Sequence, residues 1–581
     1  MNELKAEFTG NESVSIAICG KLLFLAVNSS YSHTMLSYGY IRSAVERKQD
    51  CYDWVYNEYT LKDDKDKICR DILKACPDII LSTVYLFNRE FLLEIFYTVK
   101  KVSPGIRIFL GGPEFLGHNG QFLRENYFID AVIRGDESSL HKLLDVYKEP
   151  SFWHKIPGLC VILGKDYHDY GTAAYRAEEN SLISSPYYEE LFNIRKPFMQ
   201  LETTRGCRGK CSFCTSAVTK YREVMTLEEV GVQLKILRCA GYKEIRVVDR
   251  TFNDNDQRAV SMLTLFLNEF TDMRFHLEIN PAFLSAALVE VIGKFPYGML
   301  HIEVGIQTLD REVSVSVNRF GCVESSLLGL KVLCGLSNID IHTDLIAGLP
   351  GQTLESIYND IHIIIEIMPM ELQLELLKVL NGTPILEELE SEVFSYLDRA
   401  PYTVIRTHSM SYFELLKVKR LSKIIDGYYN IRVLKSIFRY LCMNYNLFLN
   451  DFTEFYSERN ENNAKLHLSE RFKLLKEFIG RYNDSKADDL LKFSWLAAGM
   501  QVKEYGIKSI SGSSRAETRI IWEKAVISGS KRYYRVLFDW NVGDIWLNSN
   551  FNELCGKREY IFRLAYGNHP ASIGEITISE E

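Results

Sequence analysis

The sequence has no apolar run approaching the roughly 20 residues that span a bilayer. Its most apolar stretches, residues 22–27 and 363–368, are short and bounded by polar residues, which excludes a membrane-spanning helix. A secretory signal is missing too: the opening MNELKAEFTGNE carries acids where a basic segment is needed, and Lys21 interrupts the apolar segment behind it. Positive charge is not in excess. Lys and Arg number 68 against 76 Asp and Glu, a net charge of −8, so no overall basic field draws the chain to nucleic acid or anionic lipid. Cysteine is sparse, 13 in 581 residues, odd in number and scattered except for one group. That usage suits reduced thiols and a cytoplasmic protein rather than a disulfide framework. No repeat of fixed period occurs, and low complexity is confined to NENN at 460–463.

What is present reads as packed protein: 46% hydrophobic, 12% aromatic and 25% charged residues over a length that predicts about three to five domains. Behind a leader (1–19), buried apolar runs at 22–27, 52–56, 78–84, 106–110 and 129–133 alternate with helical patterns near 34–47, 65–75, 89–101 and 120–126. This predicts a doubly wound, Rossmann-like α/β domain over 20–150 with a five-stranded parallel sheet. Residues 151–194 turn irregular and aromatic and read as a connector. From 195 to 420 six further strand and helix units follow, with strands at 198–202, 244–249, 274–280, 300–306, 340–346 and 371–379. Six consecutive parallel strands predict a partial (β/α)6 barrel. A mostly helical C-terminal domain over 421–581 completes the chain, with a β-like tail at RYYRVLFDWNVGDIWL.

The clustered cysteines are Cys207, Cys211 and Cys214, in LETTRGCRGKCSFC directly after the first strand of the second unit. Loops at the carboxyl ends of barrel strands build active sites. A cubane iron–sulfur cluster takes four thiolates, so three leave one iron open. A zinc site would need a second cysteine couple, which is absent.

The spacing Cys-x3-Cys-x2-Cys, with Phe213 before the third cysteine, resembles the radical SAM superfamily signature. The resemblance implies a [4Fe-4S] cluster on the three cysteines and S-adenosyl-L-methionine (SAM) beside it. By position it places Glu278 of HLEINP at the methionine amino group, with Phe213 among the SAM contacts. Gln307 follows the fourth strand, and Arg319 of VNRFG becomes a partner for the methionine carboxylate or ribose. In DLIAGLPGQT, Asp344 falls near the ribose and Ile346 and Gly348 beside the adenine. The family's Gly-Gly-Glu at the second strand is replaced by VVDRTFND, where Asp249 stands in. In isolation Glu278 and Asp344 also read as solvated loop acids or helix caps, and Gly348, Pro350 and Gly351 as turn punctuation. Their order along one barrel favours the ligand reading.

The first domain has no Gly-x-Gly-x-x-Gly after its first strand, which argues against a dinucleotide. Its strand-end loops instead carry NSSYSHTMLSYGY, STVYLFNRE, GGPEF and RGDES, and together they resemble the cobalamin-binding domain fused ahead of many radical SAM barrels. The implied cobalamin contacts are Ser30, Tyr31, Tyr85, Leu86 and Phe87, then Gly111, Gly112, Pro113 and Glu114, then Gly135, Asp136 and Glu137. The Asp-x-His-x-x-Gly that ligates cobalt is not met, because Tyr31 and Leu36 flank His33. His33 therefore reads as a helix-start residue with a local hydrogen bond, leaving Leu86 and Phe87 to cover the lower face.

The C-terminal domain is similar to the uncharacterised C-terminal domain of one subgroup of these proteins. The two resemblances imply an enzyme that methylates an unactivated carbon through a 5′-deoxyadenosyl radical and methylcobalamin. They also imply a small-molecule or peptide substrate and a low-potential electron donor such as a flavodoxin or ferredoxin. Two alternatives stay open. One is a radical rearrangement or cyclisation with cobalamin as redox or structural partner. The other is a non-catalytic iron–sulfur redox protein, which needs a fourth thiolate from Cys76, Cys160 or Cys239.

Overall fold

The computed structural model describes residues 19–48, 51–174, 185–218, 223–388, 394–460 and 464–500, with shorter stretches from there to 576. The expected leader up to residue 18, positions 461–463 of the low-complexity hint and Cys555 lie outside the described residues.

The first sheet is built around β1 (Gly20–Asn28), whose Leu22 to Val27 are wholly buried. Leu22, Phe24 and Ala26 enter one core with Tyr38 and Trp153, while Leu23, Leu25 and Val27 enter a second with Ile68 and Phe96. Alternate side chains point to opposite faces, so a strand apolar at every position belongs in a sheet covered on both sides. β2 (Tyr52–Thr60) and β3 (Ile79–Thr83) flank β1, followed by β4 (Arg107–Gly111) and β5 (Ala131–Ile133), all parallel. The sheet then departs from expectation. β6 (Leu159–Leu163) and β7 (Asp166–Asp169), inside the stretch read as an irregular connector, pair antiparallel onto β5 and extend the order to β2-β1-β3-β4-β5-β6-β7. Leu159, Cys160 and Val161 are buried, a three-residue apolar signal hidden among aromatic loop text.

The second sheet begins at β8 (Met199–Leu201) and continues, after a short hairpin of β9 (Thr204–Arg205) and β10 (Glu223–Val224), through β11 (Glu244–Val247), β12 (Arg274–Ile279) and β13 (Leu300–Gln307). β14 (Asp340–Ala347) and β15 (Glu371–Leu376) complete six parallel strands in the order β15-β14-β13-β12-β11-β8, an open barrel. β13 alternates strictly. Leu300, Ile302, Val304 and Ile306 are buried in the core under the helices, while His301, Glu303 and Gln307 face the hollow of the barrel.

The edge of the open barrel at β15 is capped at Leu372 by one side chain. Asn430 accepts from the Leu372 amide at 2.9 Å and donates to the Leu372 carbonyl at 2.8 Å, the two bonds a seventh strand would make there. Asn430 follows a helix, Tyr412–Ile424, that runs through the expected boundary at 420. Helices Arg432–Asn444, Phe448–Arg459, Leu468–Ile479 and Ser485–Ala497 share one continuous apolar core with the barrel. Beyond these helices, strands between Arg519 and Ile576 form a four-stranded antiparallel sheet, so the β-like tail read from sequence follows a mostly helical region. No helix among the described residues is long and apolar enough to cross a membrane.

The expectation of unpaired cysteines also needs correction. Cys19 and Cys51 form a disulfide, because the parallel register Gly20 to Tyr52 sets the two preceding residues side by side.

The two sheets are locked together. Lys196 donates to Glu58 and to the Tyr31 carbonyl, both at 2.7 Å, while Asn28 donates to the same Glu58 carboxylate at 2.6 Å. The helix Leu36–Glu46 meets the segment entering the barrel so closely that a Cβ on Gly39 would stand 1.8 Å from the Pro186 carbonyl oxygen. Gly39→Ala is therefore expected to lower the unfolding free energy by about 2 kcal/mol through overpacking. Gly231→Ala, in a helix where nothing lies within 4 Å of the added carbon, should leave it unchanged or raise it. Denaturant titration of the two variants checks both.

Candidate functional site

Parallel strands carry ligands beyond their carboxyl ends. The carboxyl ends of both sheets turn toward one junction, and two cavities lie in it.

The smaller, of about 200 Å³, is lined by Cys207, Cys211 and Cys214 together with Phe213, Glu278, Gln307, Arg319 and Asp344. The cysteine loop leaves β8 in a fixed direction because Asp249 sits beneath it. The Asp249 carboxylate, 1% exposed, accepts the amides of Thr203 and Thr204 at 2.7 and 2.9 Å and the Thr203 hydroxyl at 2.5 Å. The Gly209 amide donates to the Cys207 sulfur at 3.3 Å, and Arg319 Nη1 to the Cys211 sulfur at 3.7 Å, contacts that orient the two sulfurs. Among the described residues no three His, Cys, Asp or Glu side chains converge as ligands of a single ion do. A cluster does not require that, since each thiolate binds its own iron, and the donor set fits a cubane with one open position. Cys76 and Cys239 are exposed and Cys160 is buried within β6, and none of them lines the cavity, so the fourth thiolate of a purely redox protein is not supplied there.

Glu278, at the end of β12, has its pKa pushed up to about 7 by burial, against the pull of the Arg250 guanidinium 3.9 Å away. Glu303, below it on β13, is held well under the usual carboxylate range by the hydrogen bond to His276 at 3.3 Å. Burial raises Asp344, although His342, 3.2 Å away, opposes this. Gln307 adopts φ +71° at an irregularity in the β13–β14 register, which turns the end of β13 toward the cavity. Arg319 is anchored by donating to the Gly305 carbonyl.

Two expected SAM contacts lie elsewhere. Asp249 is consumed by the loop it supports, the result of a strand-end acid turning inward to satisfy backbone amides. Ile346 follows Asp344 along the inner face but does not line the cavity. Its carbonyl accepts from Gln352 Nε2 at 3.1 Å, while Gln352 Oε1 accepts from the amide of Gly348, which has φ +88°. Gln352, which sequence reading passed over, thus shapes the GLPGQ turn from within.

The larger cavity, about 520 Å³, is lined by the loops after β1, β3, β4 and β5 on one side and by Gln200, Glu202, Arg205 and Val248 on the other. Of the residues named from sequence, Tyr85, Gly111, Gly112, Pro113, Gly135, Asp136 and Glu137 line it. Gly112 has φ +111°, and a Cβ there would stand 2.6 Å from the Val84 carbonyl oxygen, so the approach of these two loops needs glycine.

Five expected contacts do not line it. Ser30 bonds His33 Nδ1 at 3.0 Å, giving His33 the local bond read from sequence, and Tyr31 is 63% exposed. Leu86 is not in the lining. Phe87 stacks on the outside of Tyr85 with centroids 5.4 Å apart. Glu114 turns away to accept from Tyr402 at 2.5 Å and to pair with Arg89. In their place stand Leu36, Ser37 and Tyr40 of the first helix, visible in sequence only as its apolar and small face.

Ser216 and Arg250 line both cavities, so the two adjoin. Arg250 occupies the fourth position of VVDRTFND and was masked by its neighbour Asp249, which looked like the functional residue.

Two measurements probe this arrangement. Asp249→Ala strands buried amides at the root of the cysteine loop, and a loss of about 3 kcal/mol in unfolding free energy with reduced iron per reconstituted chain is expected. Glu278 binds its proton more tightly folded than unfolded, so stability falls as pH rises from about 4.5 to 7 and the full cost persists above. Denaturation of the iron-free protein across that range should show this slope, and Glu278→Gln should flatten it.

Comparison with known proteins gives the following. Residues 201–364 match the radical SAM superfamily, and residues 393–509 match a family described as a protein of unknown function, DUF4080. An uncharacterized methyltransferase of Pyrococcus horikoshii is 27% identical over 41% of this chain and 53% of its own length. The cobalamin-dependent radical SAM methyltransferase TokK of Streptomyces tokunonensis is 23% identical over 50% of this chain and 45% of its own. The chain spans about half the length of these relatives. Among solved structures, the radical SAM methyltransferase TsrM of Kitasatospora setae aligns with TM-score 0.53 and 16% identity over 67% of this chain and 80% of that one. The cobalamin-dependent radical enzyme OxsB aligns with TM-score 0.58 and 14% identity over 84% and 74%. These likenesses show a shared fold: a Rossmann-like parallel sheet, a partial barrel and a helical region following it. With three cysteines at the mouth of that barrel, residues 201–364 of this chain are a radical SAM domain.

Proposed function

We propose that the chain is a cobalamin-dependent radical SAM enzyme that methylates an unactivated carbon of a small-molecule or peptide substrate. The observation that carries this reading is the pair of adjoining cavities, one lined by three cysteines and the other by the strand-end loops of a doubly wound sheet. The methyltransferase names of the Pyrococcus and Streptomyces relatives support it, as do the solved TsrM and OxsB structures with cobalamin bound.

When bound, the cluster supplies the electron that cleaves SAM to a 5′-deoxyadenosyl radical, and the cobalamin supplies the methyl group. Cys207, Cys211 and Cys214 would hold the cluster. Glu278, ionised above about pH 7, would accept the SAM ammonium, and an arriving cation would bring that raised pKa back down. Arg319, Gln307 and Asp344 are placed to orient the rest of SAM. Gly111, Gly112 and Pro113 present bare backbone to a flat macrocycle, with the Tyr85 ring beside them. The electron itself would come from a low-potential flavodoxin or ferredoxin.

The test is anaerobic reconstitution followed by incubation with methyl-labelled SAM, a low-potential reductant and fractionated cell extract. Label in a product, together with 5′-deoxyadenosine, is expected, and Cys207→Ala should abolish both along with the cluster's visible absorbance. Protein that binds cobalamin yet passes label to no acceptor would overturn the reading.

A further inference from the structure

Three arginines line the two cavities, and they differ in what they hold. Arg205 Nη1 donates to Glu137 at 2.9 Å, its Nε and Nη2 grip Glu202 at 3.2 and 2.9 Å, and its guanidinium lies 4.7 Å from the Tyr40 ring centroid. Arg319 is committed to the Gly305 carbonyl and the Cys211 sulfur. Arg250 alone reaches both cavities. Among the described residues its guanidinium makes no hydrogen bond and one ion pair, at 3.9 Å to Glu278, and its side chain is 58% exposed at the junction. Charge-assisted pairs close to about 2.7–2.9 Å when the geometry is fulfilled, so this pair is loose.

We propose that Arg250 anchors an anionic group, a carboxylate or a phosphate, on the substrate. The inference rests on the function proposed above. An acceptor carbon that meets both the adenosyl radical and the methyl donor must lie where the cavities meet, and that is where the guanidinium stands. The planar fork of arginine matches a two-oxygen anion better than a single point charge does. The carboxylates of the larger cavity are already engaged elsewhere: Arg205 bridges Glu137 and Glu202, and Asp136 caps the Ser138 amide at 2.9 Å. Once the SAM ammonium engages Glu278, Arg250 loses its one ion-pair partner and is left facing the junction for an anion on a second ligand. The site therefore orders its ligands: SAM first, anionic substrate second.

The test uses the cluster- and cobalamin-loaded full chain, with inorganic phosphate and acetate as probes in separate calorimetric titrations. Phosphate or acetate is expected to bind more tightly with SAM present than without it. Arg250→Gln should weaken that binding about tenfold or more, while Arg250→Lys, which keeps the charge, retains part of it. Equal anion affinity in the wild type and Arg250→Gln overturns the proposal. So does loss of anion binding on adding SAM, which would assign Arg250 to the SAM carboxylate. A second arm passes cell extract over an anion exchanger and assays the fractions for acceptance of methyl label. Activity in the retained, salt-eluted fractions supports the anchor, and activity confined to the flow-through overturns it while leaving methyl transfer intact. Failure of label transfer in every fraction overturns the proposed function instead, with the calorimetry still reporting on Arg250.

Discussion

Everything in this molecule depends on parallel strands sending all their carboxyl ends to one edge. The rule applies twice here, and the two edges are opposed. The most deeply buried of the links that keep them opposed is an ion pair. Lys196 and Glu58 have side chains 2% and 5% exposed, and a charge removed from water at such depth is tolerable only if fully hydrogen-bonded. Asn28 and the Tyr31 carbonyl complete the bonding. Because losing any partner leaves a buried charge uncompensated, the geometry permits little sliding of one sheet over the other. The cavities inherit that rigidity, and with it a fixed separation.

Much of this was legible in the sequence because it rests on short-range pattern. All eleven parallel strands announced themselves as apolar runs or strict alternations, and the cysteine spacing placed the smaller cavity at the end of β8. Of the expected SAM contacts, Phe213, Glu278, Gln307, Arg319 and Asp344 do line that cavity. The failures share a cause. Asp249, Glu114, Ser30 and Tyr31 lie at or near strand ends, where function concentrates, yet their side chains serve the backbone, a partner tyrosine, a neighbouring histidine and the outer surface. Periodicity says which loop a residue belongs to, not which way its side chain turns. Leu36, Ser37, Tyr40 and Gln352 were invisible for the complementary reason: their residue types are common, and only tertiary packing brings them to a cavity or a turn.

β6 and β7 teach a related lesson. An antiparallel pair added to a parallel sheet needs only a short apolar segment, and Leu159 to Val161 supply it within text dominated by aromatic and polar residues. The added strands set Tyr167 and Asp169 beside the loops after β4 and β5, where Asp169 pairs with Arg134 at the start of the RGDES loop. A stretch that reads as a spacer thus braces one wall of the larger cavity.

The pairing of Asn430 with Leu372 carries a consequence for how such a chain is assembled. An unclosed barrel ends in a row of vacant backbone groups, and a strand from another molecule fits them as well as any cap does. By meeting two of those groups with one amide from the following helical region, the chain makes that region part of the barrel's own solubility. The helices are therefore not cargo that a minimal catalytic module could shed. Barrel and cap form one unit of inheritance, joined by the Asn430 bonds, by Tyr429 and Lys435 donating to the Pro369 carbonyl, and by a shared apolar core.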